Sequence, residues 1–325
     1  MLKTRRNFIS AFLAGTAILA APSAGLAQDH WPDRAIRLVV PFAPGGSNDV
    51  IARKLATELT KSLGQSVVIE NRGGAGGSVG ANAIATSAPD GYNFLFSSDS
   101  LVTTAAVQKT PYKVDEAFDA ITMVASAPYV MVISDQFPQK SVNELISYAK
   151  ANPNAINVGS AGLGDSTYFA AKLFANTADI ELEVIGYKGT APALIDLVAG
   201  RLDMIMTTMA SVRGTPSDKL QKLAFSGTER NPAYPEVPTV KEASGLDYVN
   251  EIWWGVFGPR GVPSEIRNRL SQEIGKIVAE PAFAEFLSSL GAQPVTTTPE
   301  QMQDRLESDL ARWIDIAEKA GIRQK

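Results

Sequence analysis

The sequence predicts an α/β protein of two lobes, each a mostly parallel sheet flanked by helices. Three observations carry this expectation. Short apolar runs alternate with stretches of helical period, the pattern of parallel strands joined by right-handed crossovers. The chain has 325 residues, about 298 without an N-terminal leader, more than one core usually serves. Successive turns after strands are rich in Gly and Ser, on the sheet edge where such folds bind ligands.

Residues 1–27 read as an export signal: a basic head at Lys3, Arg5 and Arg6, an apolar stretch from Phe8 to Ala21, and small residues at Gly25-Leu26-Ala27 for cleavage. The apolar part is shorter than the ~20 residues a membrane span needs. Thr4-Arg5-Arg6-Asn7-Phe8-Ile9 resembles a twin-arginine signal. With no cysteine in the chain, the fold has no disulfide and the signal end has no thiol to carry a lipid. The expected location is the periplasm, unanchored. Removing the leader leaves 27 Lys and Arg against 34 Asp and Glu, so the net charge moves from −4 to −7. That sign disfavours nucleic acid and anionic membranes as partners, and an anionic ligand has to be attracted locally.

Ile36-Arg37-Leu38-Val39-Val40 reads as a buried strand feeding Pro41-Phe42-Ala43-Pro44-Gly45-Gly46-Ser47-Asn48-Asp49. Pro44, Gly45 and Gly46 force a tight turn. Ser47 is expected to cap a helix with Ile51, Leu55 and Leu59 on one face and Gly64 as its stop. Such a turn aims free N–H groups and a positive helix end at one spot, an anion receptor. Val67 to Glu70 is the next strand, followed by the loop Asn71 to Gly77 and a helix from Ser78 to about Ser87. After the turn Pro89-Asp90-Gly91, the strand Tyr92 to Phe96 ends in Ser97-Ser98-Asp99-Ser100.

The alternation continues with a strand at Tyr129 to Ser134 and a capping box at Ser141-Val142-Asn143-Glu144. Asn157-Val158-Gly159 feeds Ser160-Ala161-Gly162-Leu163-Gly164-Asp165-Ser166, with a helix from Thr167 to Asn176. Glu183 to Gly186 leads into Tyr187-Lys188-Gly189-Thr190-Ala191-Pro192, where Pro192 suits a first helical position. Strands follow at Asp203 to Met206, ending in Thr207-Thr208, and at Leu223 to Ser226. Crossings expected near Ser126-Ala127 and Asp247-Tyr248 make residues 28–126 plus 248–325 one lobe and 127–247 the other. Thr298 and Gln301 form a capping box for a closing helix with Met302, Leu306, Leu310, Ile314 and Ala317 on one apolar face.

Several of these segments together resemble the substrate-binding proteins of tripartite tricarboxylate transporters, the Bug-type receptors. They are Ile36 to Ser47, Glu70-Asn71-Arg72, Gly74-Ala75-Gly76-Gly77, Ala88-Pro89-Asp90-Gly91-Tyr92 and Tyr187-Lys188-Gly189. Pro235-Glu236-Val237-Pro238-Thr239, then Trp254-Gly255 and Gly258-Pro259, continue the match in the family's order. The resemblance implies a type II-like periplasmic binding protein fold that is monomeric, uses no cofactor and performs no reaction. It implies a di-, tri- or aromatic carboxylate held between the lobes by backbone groups, small hydroxyls and ordered water, then passed to membrane permease subunits. Three departures from the family's usual residues stand out: Gly73 where Pro is common, Tyr168 where His is common, and the pair Thr207-Thr208 where Asp-Asn is common. The last two change polar groups expected at the cleft, so a relative's ligand does not transfer.

The candidate ligand contacts are Phe42, Gly45, Gly46, Ser47 and Asn48; Gly76, Gly77 and Ser78; and Ser97 and Ser98. From the second lobe they are Ser160, Gly164, Asp165, Ser166, Thr167 and Tyr168, with Tyr187, Lys188, Thr207 and Thr208. Each has an ordinary structural reading as well. Ser47, Asn48 and Asp49 are common helix-start residues, and the charge of Asp49 repels a carboxylate. Phe42 either walls the pocket or packs. A lone turn lysine such as Lys188 is generally solvated. Trp253, Trp254, Met204, Met206 and Met209 read as core, and Asp203 as a structural strand residue.

An enzyme is the rival class. The sole histidine, His30, lies beside the cleavage site, so no Ser-His-Asp relay can be assembled, and without cysteine there is no thiol nucleophile. No His/Cys cluster or His-Glu-x-x-His pattern marks a metal site. Gly74-Ala75-Gly76 with Gly80 and a later Asp99 imitates a dinucleotide loop. However, Asn71-Arg72-Gly73 delays the glycines past the strand end, where that loop needs them. A receptor that docks on a membrane sensor fits the same sequence.

Overall fold

Two mixed sheets carry the fold of the computed structural model, which describes residues 31–323; the expected export signal lies outside the described residues. From Pro32 onward the chain is one compact unit. The strands are β1 Ile36–Val40, β2 Val67–Asn71, β3 Asn93–Ser98, β4 Phe118–Pro128, β5 Val130–Ser134, β6 Asn157–Ser160, β7 Glu183–Gly186, β8 Met204–Thr207, β9 Leu220–Phe225, β10 Glu251–Pro259 and β11 Gln293–Pro294. The helices are α1 Ser47–Leu63, α2 Ser78–Ala85, α3 Ser100–Val107, α4 Val114–Ala117, α5 Val142–Ala151, α6 Ser166–Ala178, α7 Thr190–Val198, α8 Met209–Val212, α9 Val240–Ser244, α10 Ser264–Ala279, α11 Pro281–Ser289 and α12 Pro299–Lys319.

One sheet runs β11-β4-β10-β3-β1-β2 and the other β7-β6-β8-β5-β9. The parallel character expected from the βα alternation holds for β2-β1-β3 and for β7-β6-β8. The strands beside the crossings run antiparallel: β10 against β3 and β4, and β5 against β8 and β9. The reason is geometric, since a strand arriving from the other sheet enters from the opposite end. Tyr129 alone separates β4 from β5, and the return lies between Phe225 and Glu251.

Helix boundaries differ from the sequence reading at several starts. Gly46 and Gly77, not Ser47 and Ser78, occupy the N-cap positions, with each serine the first helical residue. Gly46 takes the extended backbone an N-cap needs, φ −82° and ψ 172°. Asp165 caps α6 one residue earlier than expected, Gly189 caps α7 so that Pro192 is its third residue, and β9 begins at Leu220. Gly64, at φ 69°, does end α1. Both residues of the Thr298–Gln301 box bond as expected, and α12 buries Met302, Leu306, Trp313 and Ala317. Leu310 and Ile314 sit at the rim of that face.

The core beneath α3 and α12 includes Val39, Leu95, Trp253, Phe257 and Leu306. Phe169 of α6, which flanks the other sheet, joins this core and meets the Trp313 ring edge-on at 4.6 Å. Leu306→Ala empties the centre of this cluster and is expected to cost about 2–5 kcal/mol of stability, measured by denaturant unfolding.

A buried acid marks the junction. Asp99 follows β3, is 2% exposed, and leaves Oδ1 without a hydrogen-bond partner. Tyr129 at the crossing donates weakly to its Oδ2, at 3.5 Å. Burial first, then the charges of Asp309 and Asp165, push the Asp99 carboxyl well above its ordinary range against opposition from Ser166 and Arg305. The folded chain therefore keeps a proton that the unfolded chain releases above about pH 4. Stability from this site is present below that pH and lost as pH rises through the raised folded value. Asp99→Asn is expected to stabilise the protein by about 1–3 kcal/mol at pH 8 and much less at pH 4. A melting-temperature gain independent of pH would contradict this.

Candidate functional site

The turn after β1 is organised by a carboxylate of its own. Asp49, in the first turn of α1, accepts from the Gly45 N–H at 3.0 Å, from Arg53 Nε at 2.9 Å and from Asn71 Nδ2 at 2.9 Å. Asn71 also donates to the Phe42 carbonyl, tying the end of β2 to the turn. Burial alone would raise the Asp49 carboxyl, but the bonds from Arg53, Gly45 and Asn71 and the Arg53 charge hold it below its usual value. Asp49 is thus the loop's internal anion, and it occupies the Gly45 amide. Gly45 has φ +91°, and a Cβ there would reach Ala191 at 3.3 Å; Gly46 has an ordinary φ. The glycine requirement at this turn falls on Gly45.

The loop edges of the two sheets touch directly. The Ser47 N–H donates to Ser211 Oγ at 3.0 Å, and the Ala43 N–H donates to the Lys188 carbonyl at 2.9 Å. Ser100 Oγ donates to Ser166 Oγ at 3.0 Å and accepts from the Ser166 N–H at 3.2 Å. Gln108 Nε2 donates to the Leu163 carbonyl at 3.0 Å. Glycines make this approach possible. A Cβ on Gly76 would overlap the Leu163 carbonyl oxygen, and one on Gly162 would lie 2.8 Å from Gly76 Cα. Gly73 is a further close point, since a Cβ there would lie 2.8 Å from the Lys188 carbonyl oxygen. Gly73, where the family commonly has Pro, therefore lets two segments of the chain approach closely.

The candidate residues fall into distinct environments. Gly45, Gly46, Ser47, Gly76, Gly164 and Ser166 gather at the seam, Gly164 against Thr104 and Val107. Asn48 and Thr208 are buried near the Ser47–Ser211 bond, and Asn48 Oδ1 and Thr208 Oγ1 have no partner. Gly77 packs against the Phe42 ring, which is buried. Ser78, Ser97 and Thr207 are buried, and Ser98 Oγ donates to Ser100 Oγ at 2.9 Å.

Others are engaged within their own element. Asp165 accepts from the Thr167 and Tyr168 N–H groups as the α6 cap, and burial nonetheless raises its carboxyl to about 6. Thr167 Oγ1 donates to Asp165 Oδ1 and accepts from the Ala161 N–H. Ser160 Oγ donates to the Ile185 carbonyl. Tyr187 donates its hydroxyl to Asp196 at 2.7 Å, and the Lys188 side chain is exposed. Tyr168 packs, half-buried, on the core under α3 and α12. Ser100, Gln108 and Ser211 were missed by the sequence reading. Ser100 ends a noted Ser-rich turn, but no local pattern singles out Ser211.

Among the described residues, no helix is long and apolar enough to cross a membrane, and no group of three His, Cys, Asp or Glu side chains is placed to hold a metal. The family model described as the tripartite tricarboxylate transporter family receptor matches residues 51–322. The chain is 34% identical to the protein BugT of Bordetella pertussis over 329 residues, covering 100% of both. Among solved structures it is similar to Rpa4515 of R. palustris with adipate, at 33% identity and TM-score 0.86, covering 90% of this chain and 98% of that one. It is also similar to MatC of Rhodopseudomonas palustris with bound malate, at 30% identity and TM-score 0.83, covering 88% and 99%. A paired-sheet fold, loop edges meeting through backbone and hydroxyls, and these matches lead to one conclusion: the chain belongs to the tripartite tricarboxylate transporter receptor family, whose members are solute-binding receptors rather than enzymes.

Proposed function

We propose that the protein is an exported periplasmic receptor that captures a small carboxylate between its lobes and delivers it to membrane permease subunits. The moving bodies are residues 28–126 plus 248–325 and residues 127–247, pivoting at Tyr129 and at the return strand. The observation that supports this reading best is the Ser47 N–H at the start of α1, turned toward a hydroxyl of the opposite sheet at 3.0 Å. An amide so placed suits an anion's oxygen, and the helix end adds favourable charge. Gly46, Ser47 and Asn48 hold the acid group in this account, Gly45 shapes the turn while its own amide stays with Asp49, and Gly77, Ser78, Ser97, Ser98, Ser166, Thr207 and Thr208 complete the walls. Adipate and malate in two similar structures support small carboxylic acids as the ligand class.

Binding and closure are linked: a ligand contacting both lobes favours the closed arrangement by its extra contacts there. Thermal-shift screening of the mature protein against carboxylic acids tests the ligand class. A ligand at about one hundred times its Kd adds about 2.7 kcal/mol, or roughly 5 °C or more in melting temperature. No shift with any acid would overturn the reading.

Closure has its own test. Gly76→Ala places a Cβ on the Leu163 carbonyl oxygen and demands a left-handed alanine at φ +63°. The expected result is a folded protein that binds its acid at least about tenfold more weakly, about 1.4 kcal/mol, by titration calorimetry. X-ray scattering should show that added ligand no longer compacts it.

A further inference from the structure

A pocket of about 400 Å³ opens at the seam beside the acid-binding turn, within the size range of small-molecule sites. Gly45 contributes from the first sheet's turn; Leu194, Ile195 and Val198 of α7, Pro216, and Ser211 contribute from the second. None of its lining residues is charged. Ser211 is the hydroxyl that accepts from the Ser47 N–H at 3.0 Å, so the pocket begins where the amide points. Thr208, one turn before Ser211 and 1% exposed, lies behind this wall and does not line the pocket; its hydroxyl has no partner.

We propose that the ligand is a monocarboxylate with an apolar alkyl or aryl body. Its acid group enters beside Ser211 to reach the Ser47 amide, and its body lies over Leu194, Ile195 and Val198. The charge pattern decides between this and a dicarboxylate. A second carboxylate extending into the pocket would lose water against methyl groups with no cation to meet it, which is costly. An alkyl or phenyl group there removes apolar surface from water instead, including that of Ile195, which is 65% exposed. Arg53 beside the turn is paired with Asp49, and the exposed Lys188 is not among the residues that line the pocket.

This inference rests on the receptor reading above, and matched acids separate the two. Calorimetric titration of the mature protein compares hexanoate with adipate and benzoate with terephthalate, each pair differing by one carboxylate. The expected result is that the monoacid of at least one pair binds ten times tighter or more. Ile195→Lys, a change at an exposed position, should then weaken that monoacid about tenfold and strengthen its diacid. Diacids binding as tightly as monoacids, or a ratio unmoved by Ile195→Lys, would overturn the inference and leave the receptor reading standing. Failure of all four acids to bind would overturn the inference, while the receptor reading falls only if the wider screen of carboxylic acids gives no shift.

Discussion

The two sheets meet through main chain, and much else follows from that contact. Gly76 against Leu163, Gly162 against Gly76, and Gly73 against Lys188 leave no room for a single methyl group between the facing segments. Backbone amides and carbonyls are directional, so an interface made from them has a defined closed position rather than a range of loosely packed ones. Small hydroxyls at Ser47, Ser100, Ser166 and Ser211 suit the same seam because they bond without bulk. In the proposed receptor an acid group is recognised by where amides point, so a protein of net negative charge can serve an anion.

The turn at Gly45 shows how such a seam is held rigid. Asp49 draws together the α1 start, the end of β2 through Asn71, and its own helix through Arg53. A buried carboxylate with three donors is well satisfied, so it organises the loop at little electrostatic cost. The contrast with Asp99 is instructive. Both acids are buried near the seam, yet Asp49 has a guanidinium and two amide donors, while Asp99 faces a distant tyrosine and other acids. Environment, not residue type, sets whether a buried carboxyl is held below its ordinary range or pushed above it.

Much of the architecture could be read from the chain because it is written locally. The strand-turn-helix unit at Ile36 to Gly64, the Thr298 box and the apolar face of α12 each depend on neighbours a few residues apart. The glycines of the seam were visible as turn residues, but their role facing another chain was not, since Gly76 and Leu163 are far apart in sequence. Ser211 carried no signal for the same reason. The antiparallel placement of β5 and β10 also escaped, because period alone does not give strand direction. The Asp49 network was half visible: Arg53 lies one helical turn away, whereas Asn71 arrives only through the pairing of β1 with β2.

Strand β10 lies between β3 and β4, at the centre of its sheet. During synthesis that slot stays vacant until residue 259 has left the ribosome, so β3 and β4 emerge with exposed pairing edges. The other sheet draws all its strands from Val130 to Phe225 and can assemble earlier. The middle of the chain is thus equipped to become ordered first, with the two ends joining around it afterwards. The half carrying the turn at Gly45 would be the last to mature and the more exposed to misassembly on the way.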